Sequence, residues 1–261
     1  MNLRLILLIA LLFSSFLFAE TVDSELKPSE HPLYGKVSEK EYLTGNFNPE
    51  RHSDFITLKK IGVPTDGRTH YLRKEAAQAL FQLYRAFKKD HGKLTFRVVS
   101  STRNFNAQKK IWENKWHGRT MVDGENLPKT TPNPATRGAK ILRYSSMPGT
   151  SRHHWGTDFD LNSLNNNYFK SKEGKTLFAW MKTHAVNYGF CNPYNAGRMK
   201  GYEAEKWHWS YQPLSSRYLK RWMELYERDD HFFFSNGNFS GSTNLAKTAG
   251  IYVNSVNTEC K

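Results

Sequence analysis

Two short segments of the chain concentrate side chains able to bind a divalent metal. The first is Ser151-Arg152-His153-His154-Trp155-Gly156-Thr157-Asp158-Phe159-Asp160 and the second is Glu205-Lys206-Trp207-His208-Trp209. A catalytic zinc ion takes three protein ligands drawn from His and carboxylate and keeps a fourth position open for water. Here His153 or His154, Asp158 or Asp160, and His208 could fill that set, with Glu205 left to act as a base. Spacing does not choose between the two adjacent histidines. In an uninterrupted strand His154 and Asp160 share a face and His153 does not join them, because side chains alternate; a turn at Gly156 would remove that preference. Asp158 is open to a role orienting a ligand histidine or to an ordinary hydrogen bond. The remaining histidines (His31, His52, His70, His91, His117, His184 and His231) sit in no comparable cluster and are assigned no chemistry.

Several elements must position these groups. From Arg73 to His91 the apolar residues Ala76, Leu80, Leu83, Tyr84 and Phe87 recur at helical spacing, with Gly92 as a stop. Leu94 to Ser100 is short and rich in β-branched and aromatic residues, as expected of a buried strand. A second helical pattern runs through Ile111, Trp112 and Trp116 to Gly118, so Arg103 falls at a strand-to-helix junction. Residues 118–150 carry Gly118, Gly124, Pro128, Pro132 and Pro134 and read as a long loop bordering the cleft. Further helices are expected over Thr176–Tyr188 and Leu214–Arg228, with a strand over Trp207–Tyr211 between them. Residues 20–70 read as a linker and irregular segment, and the Ser-, Asn- and Gly-rich stretch 235–250 as mobile or irregular before the apolar Ile251 to Val256.

At 261 residues with 14% aromatics and 24% charged residues, the chain fits one catalytic domain with modest appendages, not a disordered protein. Residues 1–19 combine Arg4, an apolar run from Leu5 to Phe18 and Ala19, the pattern of a cleaved secretory signal. The run is shorter than the ~20 residues of a spanning helix, so no transmembrane span is expected after cleavage. The expected location is the periplasm or cell envelope. In an oxidising compartment Cys191 and Cys260 could pair and tie the C-terminal tail to the body, or remain free thiols. The formal charge of +14 draws the chain towards polyanions. Export makes anionic envelope polymers the candidates, and nucleic acid is not expected because no recognition motif accompanies the charge.

The first segment resembles the Ser-x-His-x-x-Gly-x-x-x-Asp motif, and the second the Glu-x-Trp-His motif, of the zinc D-alanyl-D-alanine carboxypeptidases associated with vancomycin resistance and wall trimming. Ser100, Arg103 and Gln108 are similar to that family's upstream Ser-x-x-Arg-(x)4-Gln pattern. Asp158 and Lys206 are the two departures from the pattern. The resemblance, from about Tyr71 to Tyr211, implies zinc held by His153, Asp160 and His208, Glu205 as general base, Arg103 steadying the oxyanion, and Ser151 and Gln108 as substrate contacts. It implies an α+β fold, a small antiparallel sheet flanked by helices and shared with hedgehog-type zinc domains. Residues 71–234 would form the zinc peptidase domain and 235–261 a C-terminal extension packed on it. The implied activity is D,D-carboxypeptidase action on peptidoglycan stem peptides. Alternatives are an L,D-carboxypeptidase, a D,D-dipeptidase, a wall endopeptidase, or a non-catalytic wall-binding module in which zinc only stabilises the fold. Glu205 and Arg103 argue against the last, since a purely structural zinc needs neither.

Overall fold

The computed structural model describes residues 33–228 and 238–261. The secretory signal expected over residues 1–19 lies outside them. Among the described residues no helix is long and apolar enough to cross a membrane.

A four-stranded antiparallel sheet organises the molecule. Its strands are β3 (Val98–Ser100), β4 (Asp158–Leu161), β5 (Phe190–Cys191) and β6 (His208–Tyr211), in the order β3-β4-β6-β5. The sequences of β4 (Asp-Phe-Asp-Leu) and β6 (His-Trp-Ser-Tyr) alternate polar and apolar, so each strand presents one face of each kind. Phe159, Leu161 and Trp209 enter a core with Leu80, Leu83 and Phe87 of helix α2 (Lys74–Asp90) and with Leu177 and Met181 of helix α6 (Lys172–His184). Asp158, Asp160, His208 and Ser210 alternate with these apolar residues and are buried as well. A second core gathers Tyr42, Trp112, Trp155, Tyr218 and Trp222, with Trp112 supplied by helix α3 (Phe105–Trp116) and Tyr218 and Trp222 by helix α7 (Gln212–Arg228). A buried row of charged groups needs partners, and those partners make the site.

The helices expected from periodicity form close to their expected limits, and a small antiparallel sheet lies among them. Strand β3 (Val98–Ser100) is shorter than the expected Leu94–Ser100. Just after β4, Asn162 adopts a left-handed conformation (φ 60°), its amide donating to the Arg97 carbonyl and its side-chain oxygen accepting from the Arg97 amide, each at 2.9 Å.

Three stretches differ from expectation. Residues 118–150 contain helices α4 (Leu127–Thr130) and α5 (Pro134–Leu142) rather than only loop. Pro128 and Pro134 occupy the first turns of these helices, where a missing N–H leaves no bond unmade. Within the stretch read as an irregular linker, residues 20–32 lie outside the described residues and residues 33–70 are folded. Helix α1 (Glu39–Thr44) opens on a reciprocal Ser38/Glu41 cap and buries Tyr42 and Leu43 completely, while β1 (Phe55–Thr57) pairs with β2 (Tyr71–Arg73). In the C-terminal part, α8 (Ser242–Leu245) lies within the stretch expected to be irregular, of which residues 235–237 fall outside the described residues, and α9 (Ala249–Asn254) runs from its end into the apolar segment. Cys191 and Cys260 form a disulfide that ties this tail to β5.

Candidate active site and metal centre

Strand register places the first two groups. Asp160 in β4 lies opposite His208 in β6 on one side and Ser100 in β3 on the other. The third group comes from a single turn, Arg152–Trp155, that ends at Gly156 with φ 72°. A Cβ at Gly156 would overlap the Phe55 ring, so both the backbone conformation and the space require glycine. The turn resolves the ambiguity between the two histidines. His153 is directed to Asp160, with Nε2 3.4 Å from Oδ2. His154 points away, its Nδ1 2.6 Å from the Arg103 carbonyl and its Nε2 accepting from the Gly149 amide at 3.1 Å. Both ring nitrogens of His154 are thus engaged.

One ligand-capable atom from each of His153, Asp160 and His208 lies within 4.8 Å of the other two. His153 Nδ1 faces the Ser101 carbonyl at 2.8 Å, which places the proton there and leaves Nε2 as a lone pair toward the cluster. His208 Nε2 lies 2.9 Å from Asp158 Oδ1, so its other nitrogen, Nδ1, faces Asp160 Oδ1 at 3.0 Å. Asp158 is itself held by Arg152 Nε at 3.1 Å and Ser210 Oγ at 3.0 Å. It is an orienting carboxylate behind His208, the arrangement that fixes tautomer and direction in metal-binding histidines.

Asp160 Oδ1 is buried and accepts no hydrogen bond, yet His208 Nδ1 stands 3.0 Å away. With the His208 proton on Nε2, two lone-pair atoms face one point, which a cation between them would satisfy. The residues therefore fit a zinc ion with two imidazoles and one carboxylate.

The electrostatics agree with burial in a charged cluster. Desolvation, with the Arg103 charge as the second cause, lowers the His153 pKa to about 4. Burial opposes ionisation of Asp160, but the two facing imidazoles outweigh it and hold the carboxyl well below its usual range. Burial also opposes charge on His208, yet Asp158, Asp160 and Glu205 raise its basicity well above normal. Glu205, whose Oε2 lies 3.4 Å from His208 Nδ1, is raised chiefly by desolvation.

Arg103 follows β3, and its backbone braces the turn that carries His153 and His154: its amide donates to the His153 carbonyl at 3.1 Å, and its carbonyl accepts from His154. Its side chain donates to Ser100 Oγ and to Gln108 Oε1, and Nη1 comes within 3.9 Å of Asp160. Gln108 is buried and donates through Nε2 to the Ser146 carbonyl at 2.7 Å. Ser151 is buried with a hydroxyl that has no protein partner. Arg103, Gln108, Ser151, His153, Asp160, Glu205 and His208 line one cleft of about 690 Å³, which His154 and Asp158 do not line. A second cavity of about 660 Å³, behind β5 near Met181 and Phe190, holds none of them.

Three groups here were not singled out from sequence. Arg152 is the buried counter-charge of Asp158. Tyr194 lays its ring 4.7 Å from that of His208. Asn192 donates through Nδ2 to the Glu205 and His208 carbonyls at 2.9 and 2.7 Å, holding the turn that carries both. No sequence period links these residues to their partners.

His154 yields a test independent of metal. Burial lowers its pKa to about 3, so it is neutral in the folded protein, whereas an unfolded imidazole titrates near 6.5. Its contribution to stability is complete above about pH 6.5 and is lost as pH falls towards 3, by at most about 1.4 kcal/mol per pH unit. His154→Gln keeps a donor and an acceptor without a titration in that range. Urea unfolding of the metal-free protein should give a shallower fall in stability between pH 6.5 and 4 for the variant than for the parent; equal slopes would show that His154 does not titrate on unfolding.

A buried three-donor set beside a carboxylate and an arginine, open to a peptide-sized cleft, has the composition of a catalytic zinc centre. The model of the D-alanyl-D-alanine carboxypeptidase family VanY matches residues 69–214, and the chain belongs to that family. Over 184 residues the chain is 29% identical to "Putative carboxypeptidase YodJ" of Bacillus subtilis (strain 168), a match covering 67% of this chain and 58% of that protein. The match therefore spans less than two thirds of that relative's length. Among solved structures, the LdcB LD-carboxypeptidase is similar with 25% identity and a TM-score of 0.46, over 70% of this chain and 80% of that one. VanYB in complex with D-alanine-D-alanine is similar with 18% identity and a TM-score of 0.45, over 64% of this chain and 88% of that one.

Proposed function

We propose that the chain is a zinc-dependent D,D-carboxypeptidase that removes the terminal D-Ala from peptidoglycan stem peptides. The observation that carries this reading is the convergence of His208 Nδ1 and the unpartnered Asp160 Oδ1, 3.0 Å apart, beside Glu205. Membership of the D-alanyl-D-alanine carboxypeptidase family supports the choice of bond. His153, Asp160 and His208 hold the zinc. When bound, zinc supplies Lewis acidity that polarises the scissile carbonyl and acidifies water. Glu205 takes a proton from the attacking water and delivers it to the leaving amine as the C–N bond breaks; a carboxyl raised by desolvation suits both transfers. Arg103 faces the oxyanion, and Gln108 and Ser100 keep its guanidinium in that position. The free Ser151 hydroxyl contacts substrate.

Export to the periplasm or cell envelope is part of the proposal. The signal-like residues 1–19 and the Cys191–Cys260 disulfide support it, and the net charge of +14 supports association with anionic envelope polymers. Folding of residues 33–70 against the site supports a catalytic unit that begins before residue 71.

The test is incubation of the zinc-loaded protein with defined stem peptides, followed by product masses. A pentapeptide losing one terminal alanine is the expected result. Loss of two residues together, release of the last residue of a tetrapeptide only, or opening of cross-links would move the same metal site to a dipeptidase, an L,D-carboxypeptidase or an endopeptidase. No cleavage of any of these would overturn the peptidase reading.

A further inference from the structure

Helix α3 presents Gln108, Ile111 and Lys115 to the cleft, a spacing of three and four residues that puts them on one face. Gln108 holds Arg103. Lys115, two turns on, is half-buried and donates to Ser145 Oγ at 2.6 Å. An ammonium has three N–H groups and accepts nothing, so this one bond leaves donors for the cleft. The other cations around the cleft have carboxylate neighbours: Arg103 lies 3.9 Å from Asp160, and Arg143 at the rim pairs with Asp123 and Glu203 at 2.9 Å each. Among the described residues no carboxylate lies within ion-pair distance of Lys115. Burial accordingly lowers its pKa, although Glu205 across the cleft favours the charged form. A partly desolvated cation with spare donors, in the cleft that holds the candidate metal ligands, calls for an anionic ligand group.

We propose that Lys115 is a specificity residue that binds the free α-carboxylate at the C-terminus of the peptide substrate. The inference rests on the peptidase reading above and deepens it. The main-chain carboxyl group just beyond the scissile bond is free only when that bond is the last one, so this contact makes the cleft accept the last peptide bond in preference to internal ones. An amide or a further residue at that position carries no charge there and leaves the partly desolvated ammonium without a counter-charge.

Two readouts test this separately from the peptidase reading. The first is direct binding, by calorimetry, of a stem pentapeptide ending in D-Ala-D-Ala and of its C-terminal amide to zinc-loaded Glu205→Gln protein, with and without Lys115→Met. With Lys115 present the free acid should bind at least tenfold more tightly than the amide. Lys115→Met should cut that preference at least tenfold at unchanged zinc content, and Lys115→Arg should restore much of it. The second readout is the ratio of kcat/KM for acid and amide in the Glu205-containing protein, which should shift in parallel. A preference that survives Lys115→Met, or free-acid binding no tighter than the amide with Lys115 intact, overturns the proposal. If the peptides bind with the expected preference but are never cut, the peptidase reading fails while the carboxylate site stands.

Discussion

Glu205→Gln should keep close to one zinc per chain and lose peptide hydrolysis by roughly a hundredfold to ten-thousandfold, the range that a positioned general base contributes. The substitution preserves the length and shape of the side chain and removes its capacity to take a proton near neutral pH. It leaves His153, Asp160 and His208 untouched, with Asp158 still orienting His208 through Nε2 at 2.9 Å. His208→Ala should lose both zinc and hydrolysis. Its strand should remain folded, because Asp158 keeps Arg152 at 3.1 Å and Ser210 at 3.0 Å as donors after the imidazole is gone. The two properties are to be measured on the same samples, by metal analysis and by product release from a stem pentapeptide. Substantial activity in Glu205→Gln with zinc bound would remove Glu205 from the role of base. Loss of zinc comparable to His208→Ala would place Glu205 among the ligands, a real contrast because its Oε2 lies only 3.4 Å from His208 Nδ1.

Arg103→Ala should fold, retain zinc and lose about a hundredfold to a thousandfold in turnover, the effect of removing one oxyanion donor, about 2.7–4 kcal/mol. Folding and metal retention follow from which atoms of Arg103 hold the site together. Its amide and carbonyl brace His153 and His154, and side-chain truncation leaves them in place. The guanidinium is held by Ser100 Oγ and by Gln108 Oε1 at 3.0 Å, with Nη1 towards Asp160. Arg103→Lys should recover little, because a single ammonium cannot reproduce the planar fork that meets both partners. Zinc content and kcat are the measurements, and near-normal turnover with zinc bound would show that another group stabilises the oxyanion.

Helices α2, α3, α6 and α7 were legible because each buries a stripe of apolar residues at helical spacing, a pattern that survives without knowledge of partners. The short elements were not. β1 and β2 have three residues each, too few for alternation to register, and are specified by pairing with each other. Prolines 128 and 134 read as loop residues because proline marks loops and first helical turns alike; only the residues that follow and their packing distinguish the two. The Ser38/Glu41 cap was a local signal that could have revealed α1.

The sequence by itself determined which chemistry the chain could carry. Two segments held nearly all the clustered His and acidic groups, whereas the burial of that polar face, and with it the need for partners, came from the fold. Tertiary structure alone decided how those groups divide the work. Gly156, held at φ 72° against Phe55, turns His153 rather than His154 towards Asp160. The register opposing Asp160 to His208 leaves Asp158, two residues earlier on the same face, to orient that histidine from behind. Gln108 and Lys115 share a helix face, yet one is occupied with Arg103 and the other keeps donors for the cleft, a difference set by neighbours from distant parts of the chain. Residue type fixes what a side chain can donate or accept; its direction and its partners depend on backbone turns and strand pairings between segments some fifty residues apart, which local spacing does not encode.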